Sequence, residues 1–410
     1  MNFNILLKRL YMKHRNAFIV ILDAVFACLV HILPRKNIIV LESKPELSDN
    51  TYEIFKYFIR GNINKRYHIY WLVDNYDYNE KNLGENVDCY PMHPKLFKEK
   101  VYLRYLLCAA SCIVCSHRFA FPYFKRNKQL FLYLDHGSPM KDCKNIFEKS
   151  FKNKCYYIAQ GKFFEDSIID QYGIKKDKIL YLGLPRNDLL FAKYNTINKV
   201  VSNVSEYKKI VIWAPTFRYH KEETRIDCHS NMPLGIPICY SEEDMILLND
   251  YLSNNKILLI LKPHPAQNID LIVDLKCSNI RILYSDELVN ANIQTNELLA
   301  QTDALITDYS SIYYDYLLLD RPIAITLDDY QQYKEEMGFV FEKPLDVIKG
   351  YYIYNIKDFI SFLESIVKDC DDEKIERQNV AKMIDDHMDS KSTKRLFDFI
   401  MASGAIVNCR

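Results

Sequence analysis

The chain has 410 residues, of which 49% are hydrophobic and 26% are charged, a composition that excludes a mainly disordered or fibrous protein. Its 54 basic and 53 acidic side chains nearly cancel, so overall charge gives no reason to expect nucleic acid as a partner. The ten glycines are spaced so that neither G-x-G-x-x-G nor G-x-x-x-x-G-K-[ST] occurs, which excludes the two common glycine-rich loops that bind nucleotide phosphates.

Residues 1–36 are predicted to be an amphipathic, membrane-associating segment. Within it, residues 17–33 form an apolar run interrupted by Asp23, and the segment as a whole contains six basic residues. The run is shorter than the roughly 20 apolar residues of a spanning helix, and a charge near its middle is costly in a bilayer. We therefore expect a helix that lies on the membrane surface, with its basic side chains at anionic headgroups. An ordinary core helix packed on the first domain is the alternative.

From residue 38 onward, short apolar runs alternate with amphipathic ones, which predicts an α/β protein with parallel sheets covered by helices. Strands are predicted at 38–42, 67–73, 112–116, 130–135, 156–159, 179–183, 209–213, 256–261, 280–284, 303–307 and 322–326. A polar stretch divides them into two Rossmann-type, doubly wound domains, residues 37–203 and 204–410. Ligands of such folds bind beyond the carboxyl ends of the strands, so we expect a central cleft between the domains.

The cysteines do not predict a metal site. The twelve cysteines are scattered, and only Cys112 and Cys115 have a zinc-like spacing. That pair falls on a predicted strand, where positions three apart point to opposite faces. We expect buried, reduced thiols, with no metal ion and no cofactor.

One histidine follows a predicted strand in each domain. His136 begins the run HGSPMK, which also contains Ser138 and Lys141, and His264 follows Lys262 in the run LKPHP. An imidazole at the end of a strand can act as a general base or acid near neutral pH. Two imidazoles that face one cleft suit acid–base chemistry on a phosphate ester. The alternative is a turn histidine that makes a backbone hydrogen bond.

The run TDYSS at residues 307–311 predicts an anion site. A strand ends there and a helix begins, so free N–H groups, hydroxyl groups and the helix dipole can point at a phosphate. The candidate side chains are Asp308, Ser310 and Ser311, with Asp315 one turn further on. A simple helix cap is the alternative.

Two further runs supply candidate contacts. WAPTFR contains Thr216 and Arg218, and an arginine there can pair bidentately with a diphosphate. GLPRND contains Arg186 and Asn187, which are possible cleft residues, although an ordinary strand–helix turn explains them equally well.

In their order along the chain, HGSPMK, GLPRND, WAPTFR, LKPHP, TDYSS and RPI resemble the CDP-glycerol glycerophosphotransferase family, which comprises teichoic-acid primases and polymerases and their capsule-polymerising relatives. The resemblance runs from about residue 38 to about residue 345. The family's essential histidine pair corresponds to His136 and His264. Its nucleotide and phosphate contacts correspond to Arg218, Asp308, Ser310 and Ser311. The family often has an aromatic residue where this chain has Asp135.

The resemblance implies a GT-B-like pair of domains, a CDP-polyol donor and peripheral attachment to the cytoplasmic face of the bacterial cell membrane. We expect transfer of glycerol phosphate from CDP-glycerol to a hydroxyl group of a glycan linked to polyprenyl diphosphate, with release of CMP. The alternatives are a CDP-ribitol donor, a GT-B glycosyltransferase that uses a nucleotide sugar, and a non-catalytic membrane scaffold.

Overall fold

Two parallel β-sheets form the framework of the molecule. The computed structural model describes residues 21–26, 28–30, 32–74, 82–117, 129–143, 155–218, 228, 232–264, 267, 272–273 and 275–406. Within these residues the strand order is β3-β2-β1-β4-β5-β6-β7 in the first sheet and β10-β9-β8-β11-β12-β13 in the second. Each order reverses beside its first strand, as in Rossmann folds, and this reversal creates a crevice at the carboxyl ends. The prediction of an α/β chain with parallel sheets is confirmed.

The strands are short and mostly buried. Those of the first sheet are β1 (Ile38–Glu42), β2 (His68–Val73), β3 (Val87–Pro91), β4 (Cys112–Cys115), β5 (Leu130–Tyr133), β6 (Tyr156–Ala159) and β7 (Ile179–Tyr181). Those of the second are β8 (Lys209–Ala214), β9 (Ile257–Leu261), β10 (Ile280–Ile282), β11 (Ala304–Thr307), β12 (Ile323–Thr326) and β13 (Tyr351–Ile353). All eleven predicted strands are present, and β3 and β13, at one edge of each sheet, are additional.

Helices connect most of the strands. They are α1 (Asp49–Arg60), α2 (Phe97–Ala109), α3 (Glu165–Tyr172), α4 (Glu242–Asn255), α5 (Ser285–Asn290), α6 (Thr295–Leu299), α7 (Ile312–Leu317), α8 (Tyr330–Glu336), α9 (Pro344–Val347), α10 (Ile356–Val367), α11 (Lys374–Ile384) and α12 (Ser392–Ala402). Short 3₁₀ turns occupy Ile63–Lys65, Lys162–Phe164, Lys176–Lys178, Pro185–Phe191, Ile197–Lys199 and Val204–Glu206.

Successive side chains of a strand point to opposite faces of its sheet, and this divides the core into layers. In β1, Ile38 and Val40 join a large cluster that also contains Ile212 of the second sheet, so one face of each sheet contributes to a shared core. Ile39 packs on the opposite face of the first sheet, and Val211 packs on the opposite face of the second. This alternation follows from the two-residue period of a strand.

The last helix returns to the first sheet. Leu396 and Ile400 of α12 are fully buried in the cluster that contains α1 residues Ile54 and Phe58. The C-terminal end of the chain therefore covers a face of the N-terminal sheet. The domain boundaries at residues 36 and 203 stay predictions.

The N-terminal segment packs in part on α2. Residues 1–20 lie outside the described part of the chain, but Phe26 and Val30 pack against Cys108. Asp23 accepts a hydrogen bond of 2.6 Å from Nε of buried Arg104, which explains an acidic residue inside the apolar run. None of the helices in the described residues has the length and apolar character that a bilayer crossing requires.

This ion pair gives a first prediction. Arg104→Met should leave Asp23 without its cation and weaken the docking of the segment on α2. Hydrogen bonds to charged groups contribute about 1.5–3 kcal/mol, so exchange of the Val30 and Leu33 amides, measured by hydrogen–deuterium exchange, should be about tenfold faster or more. Lys98→Met, an exposed change on the same helix, is the control. Equal protection in both variants would show that the pair does not hold the segment.

Candidate active site

A cavity of about 300 Å³ lies at the carboxyl ends of strands from both sheets. It is lined by residues 135–141, 143, 171–172, 214–217, 262–264 and 309–312. The lining therefore combines the loop after β5 with the loops after β8, β9 and β11. His136 and His264, which were predicted to face one cleft, both line this cavity.

His136 is oriented by the residue before it. Its Nδ1 lies 3.0 Å from Oδ1 of Asp135, and its side chain is 49% exposed. Asp135 is buried, with a positive φ of 52°, and its Oδ2 accepts hydrogen bonds of 2.6 Å from the hydroxyl groups of Tyr157 and Tyr172. The ring of His136 is thus fixed through Nδ1, which leaves Nε2 for a ligand.

The carboxylate also makes His136 more basic. Burial alone raises the pKa of Asp135, but hydrogen bonds from His136, Tyr157 and Tyr172 and the charge of His136 outweigh it and lower this pKa to about 2. Desolvation lowers the pKa of His136, but its hydrogen bond to Asp135 and the negative charge there raise it above the usual value. An ionised Asp135 therefore supports the protonated imidazole that a general base becomes.

The loops of the two halves touch beside His136. Gly137 has a φ of 154°, and a Cβ built on it would lie 2.1 Å from Oγ of Ser311. Only glycine permits this approach. The hydroxyl group of Ser138 donates to Oε1 of Gln160 (2.7 Å), whose Nε2 donates to Asp385 (2.6 Å). Ser138 and Ser311 both line the cavity, and Ser138 is held in place through the side chains of Gln160 and Asp385.

Cationic side chains of both halves line the cavity. Burial lowers the pKa of Lys262 to about 8, and its Nζ lies 3.3 Å from the hydroxyl group of Ser285. Lys141 lies with Nζ 5.8 Å from the ring centroid of Tyr333. The exposed ring of His264 lies 5.5 Å from that of Phe217, and Pro265 is outside the described residues. A positively charged, partly desolvated lining suits an anionic ligand.

Ser310 and Ser311 lie where the run TDYSS was predicted to form an anion site. Both line the cavity, immediately before α7. The hydroxyl group of Ser310 accepts weakly from the amide of Ile312 at 3.5 Å, and the side chain of Ser311 does not cap the helix. These two hydroxyl groups can therefore contact a ligand in the cavity.

Arg218 and Asp308 are not placed as the sequence predicted. Arg218 is 2% exposed, and its guanidinium pairs with Asp308 (2.9 Å) and with Asp329 (2.7 Å). Asp308 is fully buried and also accepts from the amide and the hydroxyl group of Thr216, each at 3.0 Å. The guanidinium of Arg218 and the carboxylate of Asp308 are paired with each other and with other buried groups. Neither side chain therefore faces the cavity as a free phosphate contact. They join the loops after β8 and β11, and of the three side chains only Thr216 lines the cavity.

Arg186, Asn187 and Asp315 lie behind the cavity, not in its lining. Arg186 pairs with Asp315 of α7 (2.7 Å) and with Asp49 (3.2 Å), and it donates to the carbonyl oxygen of His136 (2.5 Å). Asn187 is buried and accepts from Asn296. These residues connect the two halves, whereas the sequence offered them as possible cleft residues.

Several residues that hold the Asp135–Ser138 loop in place could not be identified from sequence motifs. Tyr157, Tyr172 and Gln160 lie outside every motif, and only the fold brings them to the Asp135–Ser138 loop. His117, at the end of β4, stacks on His136 with ring centroids 4.3 Å apart. It follows a strand, as His136 does, so the same reasoning would have identified it.

The described residues contain no group of three or more His, Cys, Asp or Glu side chains placed to hold a metal ion. Cys112 and Cys115 are free thiols in separate core layers, as expected for a strand.

Comparisons with known proteins agree on a family. The model of CDP-Glycerol:Poly(glycerophosphate) glycerophosphotransferase matches residues 25–402. Teichoic acid glycerol-phosphate primase of Bacillus subtilis (strain 168) is 26% identical over 222 residues, which are 53% of this chain and 51% of that protein, so the match spans about half of this relative. Teichoic acid ribitol-phosphate primase of Bacillus spizizenii (strain ATCC 23059 / NRRL B-14472 / W23) is 26% identical over 357 residues, 77% of this chain and 83% of that one.

A solved structure shows the same fold. The wall teichoic acid polymerase TagF superposes with a TM-score of 0.72 at 20% identity, covering 96% of this chain and 97% of that chain. At this identity the likeness concerns the fold alone.

The Asp135–His136 contact gives a second prediction. Asp135→Asn should lower the pKa of His136 by about one unit or more, because it removes a hydrogen bond to a charged group worth about 1.5–3 kcal/mol, and one pKa unit corresponds to about 1.4 kcal/mol. The pKa is measured by NMR titration of the ring. Asp166→Asn, the same change at an exposed position of α3, is the control. An unchanged pKa in the Asp135 variant would mean that this carboxylate does not tune His136.

Proposed function

The chain belongs to the CDP-glycerol:poly(glycerophosphate) glycerophosphotransferase family, and we propose that it transfers glycerol phosphate from CDP-glycerol to a hydroxyl group of a lipid-linked glycan, releasing CMP. The observation that carries the proposal is the single cavity lined by His136 and His264 together with Lys262 and the hydroxyl groups of Ser310 and Ser311. A general base, cations and hydroxyl donors suit the transfer of a substituted phosphoryl group from a diphosphate to a hydroxyl group.

In the proposed reaction His136 is the general base. Nε2 removes the proton of the acceptor hydroxyl group while Asp135 holds Nδ1. The acceptor oxygen attacks the phosphorus that bears the glycerol, a new phosphodiester bond forms, and the bond to the CMP phosphate oxygen breaks. His264 and Lys262 stabilise the negative charge that develops on the departing CMP. The bridging oxygen leaves with CMP, and the proton on Nε2 of His136 passes to solvent before the next turnover.

The donor diphosphate is proposed to lie against the second sheet. Ser310 and Ser311 contact it from the loop after β11, and Thr216 and Lys262 from the loops after β8 and β9. Arg218 and Asp308 act from behind, since their buried pairing fixes the Thr216 loop. Residues 204–410 then form the donor half of a GT-B-like pair, and residues 37–203 present the acceptor.

A CDP-ribitol donor is the second candidate. The ribitol-phosphate primase matches 77% of this chain, at the same identity as the glycerol-phosphate primase. Both donors share the cytidine diphosphate, which the proposed contacts recognise, and differ only in the length of the polyol.

We also propose peripheral attachment at the cytoplasmic face of the bacterial membrane, where a polyprenyl-linked acceptor is held. The N-terminal segment supports this: Ile21, Val25 and Ile32 expose 62%, 47% and 79% of their surface, while Phe26 and Val30 face α2. An apolar row beside a packed face suits a helix that lies in a membrane interface.

The third prediction tests the reaction. Purified protein with a synthetic lipid-linked acceptor should release CMP from CDP-glycerol, and the labelled polyol should appear in the acceptor, as followed by chromatography of both products. CDP-ribitol is assayed in parallel. Release of CDP from a nucleotide sugar would support a glycosyltransferase instead, and the absence of turnover with every donor would favour a scaffold.

In the same assay, His136→Ala should lower kcat by about 10²–10⁴-fold, the usual contribution of a positioned base, while the donor Kd changes little. His68→Ala, at the amino end of β2 and away from the cavity, is the control. Near-normal turnover of the His136 variant would refute its role.

The fourth prediction concerns the membrane. Ile21→Ser, Val25→Ser and Ile32→Ser together should reduce binding to anionic vesicles about tenfold or more in a sedimentation assay, because burial of each apolar side chain contributes about 1.5–3 kcal/mol. Ile246→Ser with Leu247→Ser, at exposed apolar positions of α4, is the matched control. Equal vesicle binding by the triple variant and the wild type would place the attachment elsewhere.

A further inference from the structure

A second cavity, of about 250 Å³, lies in the crevice where the strand order of the first sheet reverses. Its polar lining comes from the end of β1 and from the loops after β1, β2, β3 and β4, and it comprises Glu42, Ser43, Lys44, Glu46, Asp74, His93 and His117. Leu72 and Met92 add an apolar wall. Crevices of this kind are the usual ligand sites of doubly wound folds.

The second cavity adjoins the first. The ring of His117, which lines the second cavity, stacks on the ring of His136, which lines the first, at an interplanar angle of 21°. A ligand seated in the second cavity therefore lies one ring away from the candidate general base.

Its polar groups suit a ligand with hydroxyl groups. Glu42 is 2% exposed and accepts a hydrogen bond of 3.0 Å from the amide of His117. Nδ1 of His117 is buried and has no hydrogen-bond partner among the residues that the structure describes. A buried polar atom without a partner costs free energy, and a small rotation of the ring towards a bound hydroxyl group would recover it.

The charges of the lining disfavour a phosphate. Glu46 and Asp74 are two carboxylates beside one lysine, Lys44, whose Nζ lies 4.0 Å from Asp74. Glu42 is a third carboxyl group, and burial raises its pKa to about 7. His93 lies 3.6 Å from the same aspartate. An anionic unit would be repelled here, whereas hydroxyl groups can donate to the carboxylates and accept from the imidazoles and the lysine.

We propose that the second cavity binds the uncharged terminal sugar or polyol unit of the acceptor and directs its hydroxyl group towards His136. This inference rests on the proposed function, which it deepens by placing the acceptor. The nearest phosphate of the acceptor lies outside the cavity.

The test compares two histidine–aspartate pairs on the same sheet. Asp74→Asn with His93→Ala alters the second cavity at side chains that are 40% and 70% exposed, so folding should be preserved. The control, Asp88→Asn with His68→Ala, removes a pair that is 2.6 Å apart outside both cavities.

The acceptor KM of the cavity variant should rise about fivefold to tenfold, as expected for one or two lost hydrogen bonds. Its donor KM and the control's acceptor KM should stay within about twofold of wild type. An unchanged acceptor KM in the cavity variant would overturn the proposal.

A binding measurement separates this proposal from the reaction. Saturation-transfer NMR with a soluble acceptor analogue, and no donor, should detect binding to the wild type and weaker binding to the cavity variant. An analogue that carries a terminal phosphate monoester should bind more weakly than its uncharged counterpart. Stronger binding of the phosphorylated analogue would overturn the uncharged class. Binding that depends on the cavity, together with no turnover of any donor, would retain this site and reject the proposed function.

Discussion

The candidate site depends on a buried cation that joins the two halves of the chain. Arg186 follows the last strand of the first sheet, pairs with Asp49 of α1 and Asp315 of α7, and donates to the carbonyl oxygen of His136. Since Asp315 lies one helical turn after Ser311, this contact sets the separation between the His136 loop and the Ser310–Ser311 loop. A buried ion pair stabilises little in net terms, but it is intolerant of misplacement because an unpaired buried charge is very costly. Its contribution here is alignment.

A second buried arginine organises the loops of the second sheet in the same manner. Arg218 lies between Asp308 and Asp329, with its guanidinium carbon 4.8–5.1 Å from the ring centroids of Tyr333 and Tyr309. The guanidinium groups of Arg186 and Arg218 are thus paired with buried carboxylates and do not line the cavity. The cavity itself presents weaker or tunable groups: a lysine whose pKa burial has lowered, imidazoles and hydroxyl groups. Such groups can exchange protons and partners during a reaction, whereas a doubly paired guanidinium cannot.

Local patterns were sufficient for much of this picture. Apolar runs predicted eleven strands, and the motif loops at their carboxyl ends lie together because parallel strands end at one edge. β3 was missed because it contains Asp88 and Pro91 and is only partly buried at a sheet edge. β13 was also missed; it lies at an edge of the second sheet, and two of its three residues are only partly buried. The orientation of Arg218 was not predictable, since its partner Asp329 lies 111 positions away and only the fold joins them. Tyr157 and Tyr172, which hold Asp135, were not predicted for the same reason.

Helix α12 has a consequence for how the chain acquires its structure. During synthesis, the first sheet leaves the ribosome long before Leu396 and Ile400, the side chains that seal one of its faces. Vectorial folding usually completes N-terminal units first. Here the first sheet waits for residues made much later, so a nascent chain arrested near residue 203 would expose the apolar surface that Leu396 and Ile400 cover and would attract chaperones.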